Sequence, residues 1–497
     1  MDLDEIRETH QTYKDNIENW KLWQIAYMGG KNFIDYAIKR HSRESVKNFK
    51  ARKEEGIVFN YNRSIVDLFS FYLTEKDAMR DIGALSNDKQ WNMFRKDCDL
   101  YGTDFNIFIN NAQKSASIFG STGVLVDKSN YGLANKAEEI ISSVYPYCNL
   151  YTLPNILDWS FERDTITNRP TLTYLKLKNY DNRYFIWRKD SWEIWEIPIT
   201  PNGQESDPVL ERSGPNILGE IPFFWFINVR SPIDPYFGLS DISEISLITA
   251  SIIRDLSSLQ EIIKFAGFPM MRKPMLKESE SEEDIVGPRG VLEFDPLLGE
   301  NGKPDWLLSP VMEPVRGGLE FIERKIDEIY ETSHMSGIHS LEKSSEARSG
   351  VALRYQFSQL TSVLGDKSVN MVEAEYEIVR LWLKWQNQSE LFPHIQIARS
   401  KQFSVDDMAQ DLQNLALAEK IAVSKKLKRE IQKAISRNVL PDLSDDTRDE
   451  IDKEIDVASF DENNAITEDE KDENEENNEL KKRVSDEAPV PRKGLLI

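Results

Sequence analysis

Apolar residues recur at helical spacing from Val58 to Ser117, as in IVDLFSFYL and WNMFRKDCDLYGTDFNIFINNAQKSASIF, which predicts a run of helices. Gly120 and Gly123 punctuate this run and VLVD follows, so helix should give way to strand there, with GSTG (Gly120 to Gly123) read as a turn. Between Tyr145 and Val229 the pattern becomes short β-branched and aromatic stretches (TLTYLKL, RYFIWRK, WEIWEIPI, PFFWFINV) separated by Asn, Asp, Gly and Pro, the signature of an antiparallel sheet. Its tryptophans could form a carbohydrate platform, but buried core is the preferred reading, because aromatics dominate core area in ordinary domains.

The clearest helix spans Ser240 to Ala266. Asp241 and Glu244 resemble a capping box, and Ile242, Ile245, Ile252, Leu256, Leu259, Ile263 and Ala266 keep 3-4 spacing, with Thr249 at the one skipped position. Gly267 and Pro269 end it, and from Asp241 it should extend about 39 Å. A second such helix, from about Gly318 to Met335, carries Leu319, Ile322, Ile326 and Ile329. The 49 residues from Gly267 to Val315 contain 12 Gly or Pro and the strand-like pieces VLEF and WLLS, so a small insert should cap a long helical hairpin.

After the Ser-rich HSLEKSSEARSG, a longer helix is expected from about Val351 to Gln386. Lys367 takes an apolar slot in it beside Gly365 and Asp366, where a kink is expected. Helices at Val405 to Ala422 and Lys425 to Ile435 follow. The first 56 residues alternate charged and aromatic, as surface helices with a narrow apolar stripe do, and should pack on a neighbour.

Composition changes this picture in two places. The chain has 62 Lys+Arg against 84 Asp+Glu, a formal charge of -22, which disfavours generic adhesion to nucleic acid or anionic membranes. Pro441 to Ile497 alone holds 20 acidic and 8 basic residues, and with few apolar residues the tail should be largely disordered, from about Ala458 onward. Two cysteines, Cys98 and Cys148, no leader-like opening and no apolar run near 20 residues together suggest a reducing, cytosolic, membrane-free setting.

Motifs for catalysis are lacking. There is no GxxxxGK[ST] loop, no HExxH and no GxSxG, and His334 and His339 stand five apart, the wrong spacing for one helical face. No catalytic residue, cofactor or metal is expected. The best sites for phosphate are cationic: Lys425, Lys426, Lys428, Arg429 and Lys433 on one predicted helix, and Lys343 and Arg348 in the Ser-rich break, diluted by Glu342 and Glu346. A solvated helix face is the more economical reading of the first group, since no aromatic residues interleave it.

Several phrases carry a resemblance. ASIFGSTGVLVD (Ala116 to Asp127), LPNILDW (Leu153 to Trp159), GEIPFFWF (Gly219 to Phe226), KFAGFPMM (Lys264 to Met271) and, above all, SGVALRYQFSQL from Ser349 resemble, in that order, the portal protein family of tailed bacteriophages over roughly Asn60 to Leu440. The resemblance implies an α+β, mainly helical, ring-forming portal fold, usually of twelve subunits. After an N-terminal charged region (1–56) would come a wing (57–239), stem helices (240–266 and 316–335) around a clip (267–315), a tunnel loop (336–350), a long kinked wing helix with a following strand or loop (351–400), a crown (401–440) and the acidic tail (441–497), which matches no shared family element.

It also implies a non-enzymatic conduit for double-stranded DNA, bound without sequence preference, at one capsid vertex of a virion assembled in the host cytoplasm. Lys343, Ser344, Ser345 and Arg348 would face the channel; Arg272, Lys273 and Lys277 would meet the terminase large subunit and later head-completion or tail adaptor proteins at the clip; Lys425, Lys426, Lys428 and Arg429 would form a basic crown face. Scaffold and major capsid proteins would meet the wing. The residues lend independent support: two long amphipathic helices around a compact insert call for identical neighbours to cover their seams, and a conduit in which DNA slides should neutralise few phosphates. The alternatives are a helical scaffold or adaptor without a channel, and a hydrolase using acidic residues of the Trp-rich sheet.

Overall fold

A computed structural model describes residues 2–129, 136–179, 182–199, 202, 205–267, 271–274, 291–294, 305–306, 313–336, 350–401, 403, 424–439 and 445–457. For 265, 272–274, 291–294, 305–306, 313–314, 350–356, 425, 434, 437–439, 445–446 and 449 it describes the backbone alone. The chain divides into two compact units, 1–404 and 405–497.

The first unit opens with helices α1 (Leu3–Arg7), α2 (Gln11–Met28), α3 (Gly30–Ala37), α4 (Val46–Glu54) and α5 (Tyr61–Thr74). Strand β1 (Met79–Asp81) and α6 (Lys89–Lys96) lead to α7 (Phe105–Phe119), β2 (Ser121–Asp127), α8 (Lys136–Ile141) and β3 (Tyr147–Thr152). A meander of β4 (Ile156–Arg163), β5 (Pro170–Lys178), β6 (Arg183–Arg188), β7 (Ser191–Glu196) and β8 (Val209–Pro215) makes a five-stranded antiparallel sheet. Strand β9 (Phe223–Ile227) instead pairs antiparallel with β2, whose other edge takes β3. The single sheet expected over 145–229 is therefore two sheets, because β2 recruits the first and last strands of that stretch.

Helix α9 (Ser243–Gly267) and helix α10 (Glu313–Thr332) flank a three-stranded sheet in which β10 (Met271–Pro274) lies parallel to β11 (Val291–Phe294) and antiparallel to β12 (Asp305–Trp306). Helix α11 (Gly350–Trp385) then runs through Gly365 without a break, and β13 (Gln396–Ala398) pairs with β1. The fold is α+β and mainly helical.

The largest core gathers α5, α6, α7, β2 and α11 around Phe69, Trp91, Phe94, Phe105 and Trp382, with Trp91 edge-on to Trp382 at 5.0 Å. Burial of such aromatics is the dominant stabilising term. A second core puts Trp20 of α2 with Trp159, Leu175, Leu177 and Trp187 of the five-stranded sheet. Trp159 and Trp187 are thus core residues, as expected of aromatics in this sheet. The N-terminal region finds its neighbour within its own chain: Leu22, Ala26, Phe33, Ala37 and Ile38 close on Ala250 and Ile253 of α9.

Two local expectations are corrected. Gly120, at φ +85°, ends α7, and Ser121 to Gly123 already belong to β2 rather than to a turn. Asp241 does not cap α9: its carboxylate is drawn to Lys367 and Asn228, while Ile242 N–H donates to Ser240 Oγ (3.2 Å). Ahead of Ala458, where the acidic tail is expected to lose order, Asp445–Val457 forms a helix in the second unit, which leaves that expectation untouched. The expected helix at Val405 to Ala422 and the residues from Ala458 onward lie outside the described residues.

Candidate functional site

Helices α9 and α10 form an antiparallel pair. Leu259 lies against Gly318, while Lys325 Nζ donates to Ser251 Oγ (2.7 Å) and Asp255 Oδ2 (2.5 Å), so rising numbers on one helix meet falling numbers on the other. Gly318 permits the close approach, since a Cβ there would sit 2.6 Å from a Leu259 methyl. Pro314 stands in the first turn of α10, where its missing N–H costs nothing.

The other side of α9 is held by the N-terminal helices. Buried Arg52 forks onto the Glu44 carboxylate (2.9 and 2.8 Å) and also donates to Ser257 Oγ (3.2 Å) and to the Lys39 carbonyl (2.8 Å). The Arg52 hydrogen bonds hold the Glu44 carboxyl below the usual range.

The apolar seams of the pair are largely satisfied within the chain, which corrects the sequence argument that only identical neighbours could cover them. Ile245, Ile252, Leu259, Ile322 and Ile329 are all buried. What stays exposed is Leu247 and Ile263 on α9 and, on α10, Leu319 (49%) and Phe321 (54%). Helix α10 is covered along one stripe, Val315, Ile322 and Ile329 being buried, and Glu320, Glu323, Asp327, Glu328 and Glu331 face outward beside the two apolar residues.

The base of α9 is tied to α11 by a buried polar node that the sequence reading took for an interruption. Lys367 Nζ pairs with the Asp241 carboxylate, donates to Asn228 Oδ1 (2.9 Å) and lies 4.3 Å from the Phe69 ring. Asn228 gathers the node: its amide donates to Asp241 (2.9 Å), its Oδ1 also accepts from Gln113 (2.9 Å), and its carbonyl accepts from Asn370 (2.8 Å). Burial pulls the Lys367 ammonium below its usual pKa, against the opposing pull of Asp241. A lysine in an apolar slot was the available signal; its partner, 126 residues away, was not.

A cleft of about 460 Å³ runs between the sheets and α11, lined by Phe161, Trp225 and Tyr236 and by charged groups. Arg169 lines it too, and among its other charges Arg230 pairs with Glu373 and Arg380 with Glu377 and Glu220. Burial pushes Glu220 up, but hydrogen bonds from Arg380 and Lys384 more than offset it and keep the carboxyl low. These ion pairs brace the sheets against α11.

The sequence-predicted site residues scatter. Lys343, Ser344, Ser345, Arg348 and Lys277 lie outside the described residues. Arg272 and Lys273 sit on β10, in register with Leu292 and Glu293, and Arg272 also with Asp305. Lys425, Lys426, Lys428 and Arg429 open helix α12 (Lys425–Val439); Lys426 is exposed, Lys428 and Arg429 half-buried, and Lys433 Nζ binds Asp456 (2.8 Å) of α13 (Asp445–Val457). Part of that basic run thus serves the acidic helix beside it. Among the described residues no His, Cys, Asp and Glu group is placed to hold a metal, and no helix is long and apolar enough to cross a membrane.

No protein-family profile and no curated protein matches this chain. Among solved structures it is similar to a chain of the virion of a native gene transfer agent particle, at 10% identity over 75% of this chain and 89% of the other, with a TM-score of 0.40. Chains of the neck of the native particle, computed with C12 symmetry, and of the empty particle's neck, computed with C6 symmetry, match at the same identity and TM-score, over 74% and 75% of this chain. Likeness at that level decides neither fold nor role.

Proposed function

We propose that this chain is a portal subunit: a non-enzymatic building block of a ring at one capsid vertex, through which double-stranded DNA enters during packaging and leaves on ejection. The observation that carries the reading is the α9–α10 hairpin with its small three-stranded sheet, followed by the 36-residue α11. That succession supports reading the hairpin as stem, the small sheet as clip and α11 as wing helix, the order that the sequence phrases around Lys264 to Met271 and Ser349 to Leu360 resemble. The outer face of α10, with Leu319 and Phe321 unburied, is surface left for another molecule.

In this reading the clip region, including Arg272, Lys273 and Lys277, docks the terminase large subunit and then head-completion or tail adaptor proteins, and the wing meets scaffold and major capsid proteins. Lys343 and Arg348, diluted by glutamates, give the channel few phosphate contacts. Each phosphate neutralised would add affinity and salt dependence, and DNA must slide.

Negative-stain imaging and mass measurement of the purified full chain test the proposal. Closed rings with a central opening, near twelve subunits, are the expected result. A particle that stays monomeric at every concentration would overturn it, and an open or irregular oligomer would favour an adaptor without a channel.

A further inference from the structure

We infer that copies of this chain join head to tail, the basic flank formed by α3 and α4 of one copy meeting the acidic outer face of α10 of the next. The inference rests on the ring reading above and adds to it the two surfaces that meet.

Helix α9 separates these surfaces. Ala250, Ile253, Ser257 and Lys264 turn toward α3 and α4, where they meet Phe33, Ile38, Arg52 and Glu55. Ser251, Asp255 and Leu259 turn toward α10, where they meet Lys325 and Gly318. At about 100° per residue the two rows centre on opposite sides of the helix. Helices α3 and α4 therefore flank α9 on the side opposite α10, while Tyr61 of α5 reaches Tyr330 of α10 (6.4 Å between rings).

The two flanks are opposite in charge. Residues 31–53 contain eight Lys or Arg and two acids. Both acids are already engaged, Asp35 by Lys53 (2.6 Å) and Glu44 by Arg52 (2.8 Å). Lys31, Lys39, Arg40, Arg43, Lys47 and Lys50 are exposed. On the far flank α10 exposes Glu320, Glu323, Asp327, Glu328 and Glu331 against two exposed cations, Arg316 and Arg324. Each flank also shows exposed apolar residues, Val46 of α4 on one and Leu319 and Phe321 on the other.

A surface and its complement on opposite sides of one molecule cannot satisfy each other in a two-fold dimer, where one patch meets itself. They are satisfied by head-to-tail addition, which closes into a ring when the rotation allows. DNA laid on the cations would answer the basic flank alone and leave the acidic face with Leu319 and Phe321 unanswered. A second copy answers both.

The test uses charge reversal in the full chain. Lys47→Glu/Lys50→Glu and Glu320→Lys/Glu323→Lys are each expected to raise the concentration for half-assembly at least about tenfold, because like charges then face each other across the contact. The protein carrying all four reversals should regain assembly, and added salt should weaken wild-type rings. Unfolding midpoints of the variants, expected to be unchanged, separate lost contacts from lost folding.

Rings formed by either folded two-site variant as readily as by wild type would overturn these surfaces and leave the ring reading standing, and failure of the fourfold variant to recover assembly would overturn them equally. Normal assembly with lost binding to a short duplex DNA in the Lys47/Lys50 variant would show the flank to be a nucleic-acid surface and also overturn the inference. Wild-type protein that forms no ring at all overturns the ring reading, and this inference with it.

Discussion

Lys367, fully enclosed in the middle of the longest helix, forms an ion pair with Asp241, two residues before α9 begins, and Asn228 binds both. One buried charge pair thus sets how the helix that opens the hairpin leaves the sheet-bearing base.

Removing one partner leaves the other charge buried and uncompensated. Lys367→Met should cost about 3–5 kcal/mol. Adding Asp241→Asn should recover part of the loss rather than add to it. Urea unfolding of the two single variants and the double variant measures this; strict additivity would show that the pair is not energetically coupled.

Gly120 and Gly238 approach backbone to backbone. A Cβ on Gly120 would sit 2.3 Å from the Gly238 carbonyl oxygen, at φ +85°, and a Cβ on Gly238 would sit 2.4 Å from the Gly120 oxygen. Gly120→Ala should cost about 2–5 kcal/mol, combining left-handed strain with overpacking. Gly30 has φ +67° but open space around it, so Gly30→Ala should cost only the strain, about 1 kcal/mol. Equal losses of melting temperature in the two variants would contradict this account.

Asp127, at the end of β2, has an enclosed carboxyl although the residue as a whole keeps some exposure. Burial raises it to about 6 despite hydrogen bonds from the Lys128 N–H (2.7 Å) and the Tyr147 hydroxyl (3.3 Å). Between its ordinary value near 3.9 and about 6 the folded chain binds more protons than the unfolded one, so this group's contribution to stability falls as pH rises. Asp127→Asn should therefore be more stable than wild type by about 1–3 kcal/mol at pH 8, with the difference closing as pH falls through 6 toward 4. Denaturation curves across that range check it; a gap independent of pH would rule out titration of Asp127 as the cause.

Leu319 and Phe321 are about half exposed, and Lys325 Nζ lies 4.2 Å from the Phe321 ring. Replacing both with Ser should cost about 1 kcal/mol per site, leave the chain folded, and reduce self-assembly. Sedimentation of the variant against wild type decides this; unaltered assembly would remove α10 from the contact.

Helix existence was legible wherever apolar spacing was long and regular. The α9 pattern placed a helix at 240–266 against the observed Ser243–Gly267, and VLEF and part of WLLS, at Trp306, appear as strands. Harder to read were residues whose role depends on a distant partner. Asp241 looks like a cap from its neighbours alone, and Lys367 looks like a flaw in a seam. The basic flank is not legible in sequence, because alternating charge reads as ordinary helix surface until the fold sets α3 and α4, with the six exposed cations on and between them, along one side of α9.

By itself the sequence determined the element types, their order, the uneven charge and the lack of catalytic motifs, because periodicity, turn residues and composition act over a few residues. Tertiary structure alone decided that the seams of α9 and α10 close on each other and on the N-terminal helices, that a buried lysine ties α11 to the start of α9, and that the remaining surface is basic on one flank and acidic on the other. Those outcomes depend on which faces meet across 59 residues of chain, from Leu259 to Gly318, and up to 205, from Arg52 to Ser257, and burial and charge pairing are properties of the meeting rather than of either segment.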